Sequence, residues 1–292
     1  MEFVCNICGG VNRPAKPLDR ESASCASCGS NVRLRSLMYV LSMELFGTEL
    51  PVPDFPRVKS LHGLGMTDFS QYASRLAEKF DYKNTFYDRE PRFDIGNPPH
   101  EQLGTLDFLI SSEVFEHVLP PAESAFRNAF ELLKPNGMLI LSVPYSVEPS
   151  MTEHYPDLHQ FGFAQIGDEV VLVNRTRDGE IQVFERPVFH RSGSGEALEM
   201  REFNERDLKR MLAAAGFTEI KIYAESYAPF GIVQSEPWSL PIAARKGQFA
   251  LSLDSTREIM EQWRDQRQNI HADARRLDRA LWFRVGRKLG LL

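Results

Sequence analysis

All four cysteines of this 292-residue chain fall within its first 28 residues, as Cys5-x2-Cys8, sixteen intervening residues, then Cys25-x2-Cys28. Two such pairs at this separation fit the spacing of a zinc ribbon. Gly9 and Gly29 follow the two pairs and relieve crowding where backbone amides approach the sulfurs. Four thiolates would close the coordination sphere of one Zn2+ and leave no position for water, so the predicted ion is structural. Iron in the same cage, two disulfides or four free thiols are the alternatives. A cytosolic setting disfavours stable disulfides.

A second constellation begins at Val58-Lys59-Ser60-Leu61-His62-Gly63-Leu64-Gly65-Met66-Thr67-Asp68, a strand running into a glycine turn before a helix with Tyr72, Leu76 and Phe80. Gly63 and Gly65 would let a cofactor approach the backbone. Asp68 stands where a dinucleotide fold wants its third glycine, which argues against NAD. A strand read over Asn84 to Glu90 then ends in Asp88 and Glu90, 23 and 25 positions after Gly65. A carboxylate near that distance accepts hydrogen bonds from ribose hydroxyls in nucleotide-type sites, although a solvated pair of charges is the plainer reading.

Histidines supply the third set. His117, in the Glu116-His117 pair at a strand-to-helix junction, reads as a hydrogen-bonded structural residue. His154 and His159 lie in Glu153-His154-Tyr155-Pro156-Asp157-Leu158-His159, just after a predicted strand, and either could serve as a general base. His190 precedes Arg191-Ser192-Gly193-Ser194-Gly195, a glycine-rich turn that could cover an acceptor.

These residues need elements to hold them. A helix is predicted from about Arg33 to Phe46, with Leu34, Leu37, Met38, Leu41 and Leu45 at helical spacing, and the proline-rich stretch Gly47 to Arg57 reads as a linker. From Val58 to about Tyr223, strands and helices alternate, which implies a parallel sheet covered by helices. Ala122, Ala125, Phe126, Ala129 and Phe130 mark a helix started by Pro120-Pro121, and Met138 to Val143 is a buried strand. An antiparallel hairpin is predicted at about 169-190 around Arg177-Asp178-Gly179-Glu180. Asn204 caps a helix that stops at Gly216, and Thr218 to Tyr223 forms a further strand.

The stretch Leu106-Asp107-Phe108-Leu109-Ile110-Ser111-Ser112-Glu113-Val114-Phe115-Glu116-His117-Val118, with the turn Leu133-Lys134-Pro135-Asn136-Gly137, resembles the class I S-adenosylmethionine-dependent methyltransferases of the small-molecule branch. The resemblance covers roughly Val58 to Tyr223. It implies a Rossmann-like α/β fold, with a seven-stranded, mostly parallel sheet binding S-adenosylmethionine at the carboxyl ends of its strands. It places Gly63 and Gly65 against the methionine part, Asp88 or Glu90 on the ribose, Asp94 near the adenine, and Ser112 and Glu113 along the pocket wall. The chain departs from the family motif at Leu61, where an acidic residue is usual, and at Thr67, where a third glycine is usual.

The expected organisation is a zinc ribbon with its helix over 1-48, a methyltransferase domain over 58-225, and a C-terminal extension over 226-292 ending in a long helix. The stripe Met260, Trp263, Ile270, Ala274, Leu277 and Leu281 suits docking on its own domain, a homodimer, or weak membrane-surface contact through Arg284, Arg287 and Lys288. Hydrophobic residues make up 42% and charged residues 25%, an ordinary globular balance. The net charge of -6 supplies no field for nucleic acid. No run is long and apolar enough to span a membrane and no secretory signal opens the chain, so a cytoplasmic location is expected.

The reaction expected is methyl transfer to a small-molecule or saccharide acceptor. Pro237-Trp238-Ser239-Leu240-Pro241 and the terminal helix resemble methyltransferases of bacterial surface-glycan biosynthesis. One alternative is an RNA methyltransferase that grips substrate with the zinc ribbon, although Ser111-Ser112-Glu113-Val114 lacks the Asn/Asp-Pro-Pro-aromatic motif of many nucleic-acid methylases. The other is a non-catalytic scaffold.

Overall fold

The computed structural model describes residues 2–192, 195–248 and 251–279. Gly193 and Ser194 of the predicted glycine-rich turn, and Leu281, Arg284, Arg287 and Lys288 of the predicted tail, lie outside them. At the N-terminus a short antiparallel ribbon, β1 (Phe3–Val4) and β2 (Val11–Asn12), flanks the first cysteine pair. Helix α1 (Val32–Phe46) begins where the Asn31 side chain accepts from the Leu34 amide and ends at Gly47, whose left-handed φ of 69° only a glycine adopts without strain. Its Leu37, Met38, Val40, Leu41 and Ser42 are all buried, because the helix is enclosed between the cysteine module and the main sheet. The proline-rich stretch after it is packed rather than a free linker: Val52 and Phe55 are buried, and the Val52 amide bonds the Asn6 carbonyl at 2.7 Å.

The following elements are β3 (Val58–Met66), α2 (Ser70–Lys79), β4 (Phe80–Thr85), β5 (Leu106–Ser112), α3 (Glu123–Leu132) and β6 (Leu133–Ser142). Short strands β7 (Tyr145–Ser146) and β8 (Thr152–Glu153) come next, then β9 (Gln160–Ile166), β10 (Glu169–Arg175), β11 (Ile181–Glu185), β12 (Phe189–Ser192), β13 (Gly195–Leu198) and β14 (Arg201–Asn204). The described chain ends with α4 (Glu205–Ala215), β15 (Glu219–Ile222), β16 (Ile242–Arg245) and α5 (Leu253–Arg279). The main sheet has the order β15-β16-β6-β5-β3-β4. β4, β3, β5 and β6 run parallel, and β16 is antiparallel to both its neighbours.

The described sheet therefore has six strands where seven were expected. The seventh would have come from the segment between β4 and β5, which carries Pro91, Pro98 and Pro99 and forms only an isolated bridge from Phe86 to Arg92 and a 3-10 turn at His100–Gln102. Proline cannot donate to a ladder, and a crossover to a parallel neighbour needs a dozen residues or more, so this segment cannot supply both. Phe93 and Ile95 instead plug the core beside α3. The strand predicted over Asn84 to Glu90 also sits earlier, with β4 ending at Thr85. At the other edge, β16 takes a place between β15 and β6, so the sheet continues into the segment read from sequence as an extension.

Two apolar layers cover the sheet. On one face α1 and α2 bury Leu37, Leu41, Tyr72 and Leu76 with Phe108 and Ile140, and Ile259 of α5 joins them. On the other face α3 and α4 bury Phe126, Ala129, Leu208 and Leu212 with Leu109, Leu139 and Leu141. Beyond β7 the chain inserts a three-stranded sheet of order β11-β10-β9, with its β10–β11 turn at Gly179 as predicted, and the β12–β13 hairpin. Among the described residues α5 is anchored along its first three turns, where Glu258 accepts from the Lys59 and Ser60 amides and Gln262 accepts from the Arg57 amide at 2.8 Å. Met260, Trp263 and Ile270 of its predicted stripe are exposed.

Candidate active site and metal centre

The cysteine module brings its four sulfurs together. Cys5, Cys8, Cys25 and Cys28 are unpaired thiols whose Sγ atoms all lie within 4.8 Å of one another. Cys5 and Cys28 are 3.7 Å apart and Cys8 and Cys25 3.6 Å, close to the edge of about 3.8 Å for a tetrahedron of thiolates around Zn2+. Each pair sits in a turn closed by a glycine of positive φ, Gly9 at 77° and Gly29 at 74°, whose amides bond the carbonyls of Cys5 and Cys25. Burial pushes the Cys25 thiol up, but the amides of Cys28 and Ser27 outweigh it and bring it down to about 6. The fully buried Arg35 guanidinium faces the cluster, bonding the Ser30 carbonyl at 3.0 Å and Ser24 Oγ at 3.0 Å. One dication held by four thiolates would carry a net charge of two minus, which this buried cation would partly offset.

The carboxyl ends of β3, β4 and β5 form the second candidate site. A Cβ on Gly63 would run into the Phe108 ring, and one on Gly65 into the Asp68 carboxylate and Tyr82 hydroxyl. In this structure both glycines thus make room for side chains of the protein itself. Tyr82 donates to Asp68, and Asn84 clamps the loop by accepting from the Asp68 amide at 2.9 Å and donating to its carbonyl at 3.0 Å. Burial pushes the Asp68 carboxyl up to about 6. Thr67, at the family's third-glycine position, has a φ of 57°, and Glu113, just past β5, has 56°. Side chains with a Cβ rarely hold this conformation, and such strain concentrates at functional sites.

Glu113 and Ser112 are gripped by the N-terminal module, which the sequence did not announce. Arg20 donates to Glu113 at 2.9 Å and to the Ser239 carbonyl at 3.1 Å, and Arg33, at the start of α1, bonds Ser112 Oγ. Ser142, at the end of β6, donates to Glu113 at 3.0 Å. Burial alone would raise the Glu113 carboxyl, but Arg20 and Arg33 hold it below the usual range. Asp88 and Glu90 lie in the exposed turn beyond β4. The Glu90 carboxylate accepts from the Arg92 amide at 3.1 Å, and among the described residues Asp88 has no hydrogen-bond partner. Asp94 accepts from the Gly96 amide at 2.8 Å.

A third group gathers beyond β5 and β6. Glu116 is fully buried, and burial, with the charges of Glu113 and Glu199, pushes its carboxyl well above the ordinary range. His117 Nδ1 bonds the Leu198 carbonyl at 2.8 Å, and burial lowers its pKa. His154 Nε2 lies 3.5 Å from the buried Glu199 carboxylate, whose other oxygen meets His190 Nε2. His159 stands apart, exposed at the foot of β9 with its amide on Asn174. The structure thus unites His154 with His117 and His190 but not with His159. Glu199, which joins His154 to His190, was passed over in the sequence because it precedes β14 without a motif.

The methyltransferase-domain family profile matches residues 63–222. The chain belongs to this family and is an S-adenosylmethionine-dependent methyltransferase of the class I type. No curated protein matches it at a significant level. Among solved structures it is similar to the Burkholderia thailandensis 1,6-didemethyltoxoflavin-N1-methyltransferase, bound to 1,6-didemethyltoxoflavin and S-adenosylhomocysteine, with 16% identity over 74% of this chain and 78% of that one and a TM-score of 0.39. A sugar N-methyltransferase from a Streptoalloteichus species aligns at 14% identity over 65% and 81%, with a TM-score of 0.38. An amino pentose methyltransferase from Micromonospora echinaspora aligns at 14% over 66% and 84%, with a TM-score of 0.35. Among the described residues no helix is long and apolar enough to cross a membrane.

Proposed function

We propose that this enzyme methylates a hydroxyl group of a small-molecule or saccharide acceptor, with His154 as the general base. The observation that carries the reading is the His154–Glu199 pair, a part-exposed imidazole backed at 3.5 Å by a buried carboxylate beyond the carboxyl ends of β5 and β6. With its Nε2–H directed at Glu199, the imidazole keeps Nδ1 free to take the acceptor's proton, the logic of a base oriented by a third group. His159, the other candidate, has no such partner and faces solvent.

When bound, S-adenosylmethionine supplies an electrophilic methyl on a sulfonium. His154 would take the proton of the acceptor hydroxyl as that oxygen receives the methyl group. The cofactor's contacts are assigned to the strand ends, with its methionine part along Gly63, Gly65 and Thr67, its ribose on Asp88 rather than the already engaged Glu90, its adenine near Asp94, and Ser112 and Glu113 as the wall. Cys5, Cys8, Cys25 and Cys28 hold one structural Zn2+, a reading supported by sulfur separations that match a tetrahedron.

The test is label transfer from methyl-labelled S-adenosylmethionine to a panel of nucleotide sugars and small hydroxylated compounds. His154→Ala is expected to slow turnover about a hundredfold while S-adenosylhomocysteine affinity stays unchanged. Unchanged turnover in that variant, or labelling confined to RNA, would refute the assignment.

A further inference from the structure

Methyl transfer as described leaves one group of side chains without a task. Glu116 and His117, from the 3-10 turn after β5, and His190, from β12, each bring one ligand atom to within 4.8 Å of the others. Glu116 is 0% exposed, yet neither of its carboxylate oxygens has a hydrogen-bond partner among the described residues. His117 Nε2 stands 3.7 Å from one of them. The buried Arg201 alongside cannot serve it, because its guanidinium is committed to Glu153 at 2.8 Å and to the carbonyls of Phe115 and Val118 at 3.0 and 2.6 Å. A carboxyl buried without a partner either keeps its proton or meets a cation, and a metal ion at this cluster would allow Glu116 to ionise.

The histidines are prepared for one. His117 is tied through Nδ1 to the Leu198 carbonyl, which leaves the lone pair of Nε2 on the side of Glu116. Metal-binding imidazoles are usually oriented in this way, by a carbonyl or carboxylate on the other ring nitrogen. His190 rests against Glu199, a second buried carboxylate. We infer that Glu116, His117 and His190 form a second metal site, for a divalent transition-metal ion, with the Glu199 carboxylate set against the His190 ring. Imidazole and carboxylate donors suit Zn2+, Fe2+, Co2+ or Mn2+ and differ in kind from the four-thiolate cage.

Three protein ligands leave coordination positions open, and the half-exposed side of His190 is where an oxygen of the acceptor would enter. That role rests on the acceptor reading above, whereas the metal site itself does not. In the acceptor complex the ion would polarise a bound hydroxyl next to His154.

The experiment is a Co2+ titration of the full chain carrying its native complement at the cysteine cluster, with neither S-adenosylmethionine nor acceptor present. One further equivalent of Co2+ is expected, with weak visible absorption bands and no thiolate charge-transfer band. Glu116→Gln and His190→Ala should each weaken that binding at least tenfold with an unchanged circular dichroism spectrum. Should the buried Glu116→Gln variant fail to fold, His190→Ala decides, because its ring is 41% exposed and its removal empties no core. Absence of a further equivalent, or binding that survives His190→Ala, would overturn the inference. A failed methylation assay bears on the acceptor and leaves this titration to stand on its own.

Discussion

Asp68 sets burial against charge, and its consequence for stability can be worked through. Its carboxyl is 6% exposed, accepts from Tyr82, and is pushed by burial up to about 6 from an ordinary 3.8. An acid whose folded-state pKa lies above its unfolded one contributes stability that is complete below the unfolded value and is lost as pH rises through the folded value. The window is therefore about pH 4 to about pH 6, and a separation of roughly two pH units corresponds to about 3 kcal/mol. Asp68→Asn keeps an oxygen for the Tyr82 hydroxyl and cannot ionise. Urea unfolding of both proteins across the window should show the wild type losing about 3 kcal/mol relative to the variant as pH rises, with nearly all of the change complete by about pH 7. Parallel stability curves would show that Asp68 ionises in the folded chain as freely as in the unfolded one, and the argument from burial would fail.

Three further outcomes are expected. The purified protein should contain stoichiometric zinc. Cys8→Ser should lower the melting temperature of the whole chain rather than of the module alone, since Phe3, Ile7 and α1 share one apolar layer with Ile140 and Ala243; differential scanning calorimetry with metal analysis checks this. Gly65→Val should weaken S-adenosylhomocysteine binding at least tenfold, about 1.4 kcal/mol, by displacing Asp68 and Tyr82, and isothermal titration of a variant with native circular dichroism would reveal a pocket elsewhere if affinity held.

What the sequence disclosed was mainly local. The cysteine spacing, the Asn204 cap with its stop at Gly216 and the glycine at the β10–β11 turn are each set by a few adjacent residues, and the structure places them accordingly, whereas the turn read over Leu133 to Gly137 falls inside β6, where it shifts the register against β5 between Leu106 and Phe108. The sheet was over-counted because a family pattern supplied a strand that three prolines forbid. β16 was missed because a four-residue strand of Ile242, Ala243, Ala244 and Arg245 shows no period by itself and declares itself only by pairing with β6. The site suffered most from distance in the chain. Arg20 reaches Glu113, Arg33 reaches Ser112, and Glu199 reaches His154, and no periodicity or spacing relates such residues before the chain has folded. Glu116 and His117 were visible as a pair, but that Glu116 has no hydrogen-bond partner among the described residues is a property of its burial.

The six-stranded order leaves β4 as a rim. In the described structure this strand bonds β3 on one side only, so its outer edge presents amides and carbonyls that could template a strand of another molecule. Asp81 and Lys83 alternate along it and are exposed, while the intervening Phe80 and Tyr82 turn into the core. A foreign strand added here would crowd an aspartate and a lysine that now stand in water. The bridge from Phe86 to Arg92 folds chain back beside the strand's carboxyl end and shortens the open edge further. Having given up a strand, the sheet is guarded against recruiting a replacement by two charges and a proline-bearing turn.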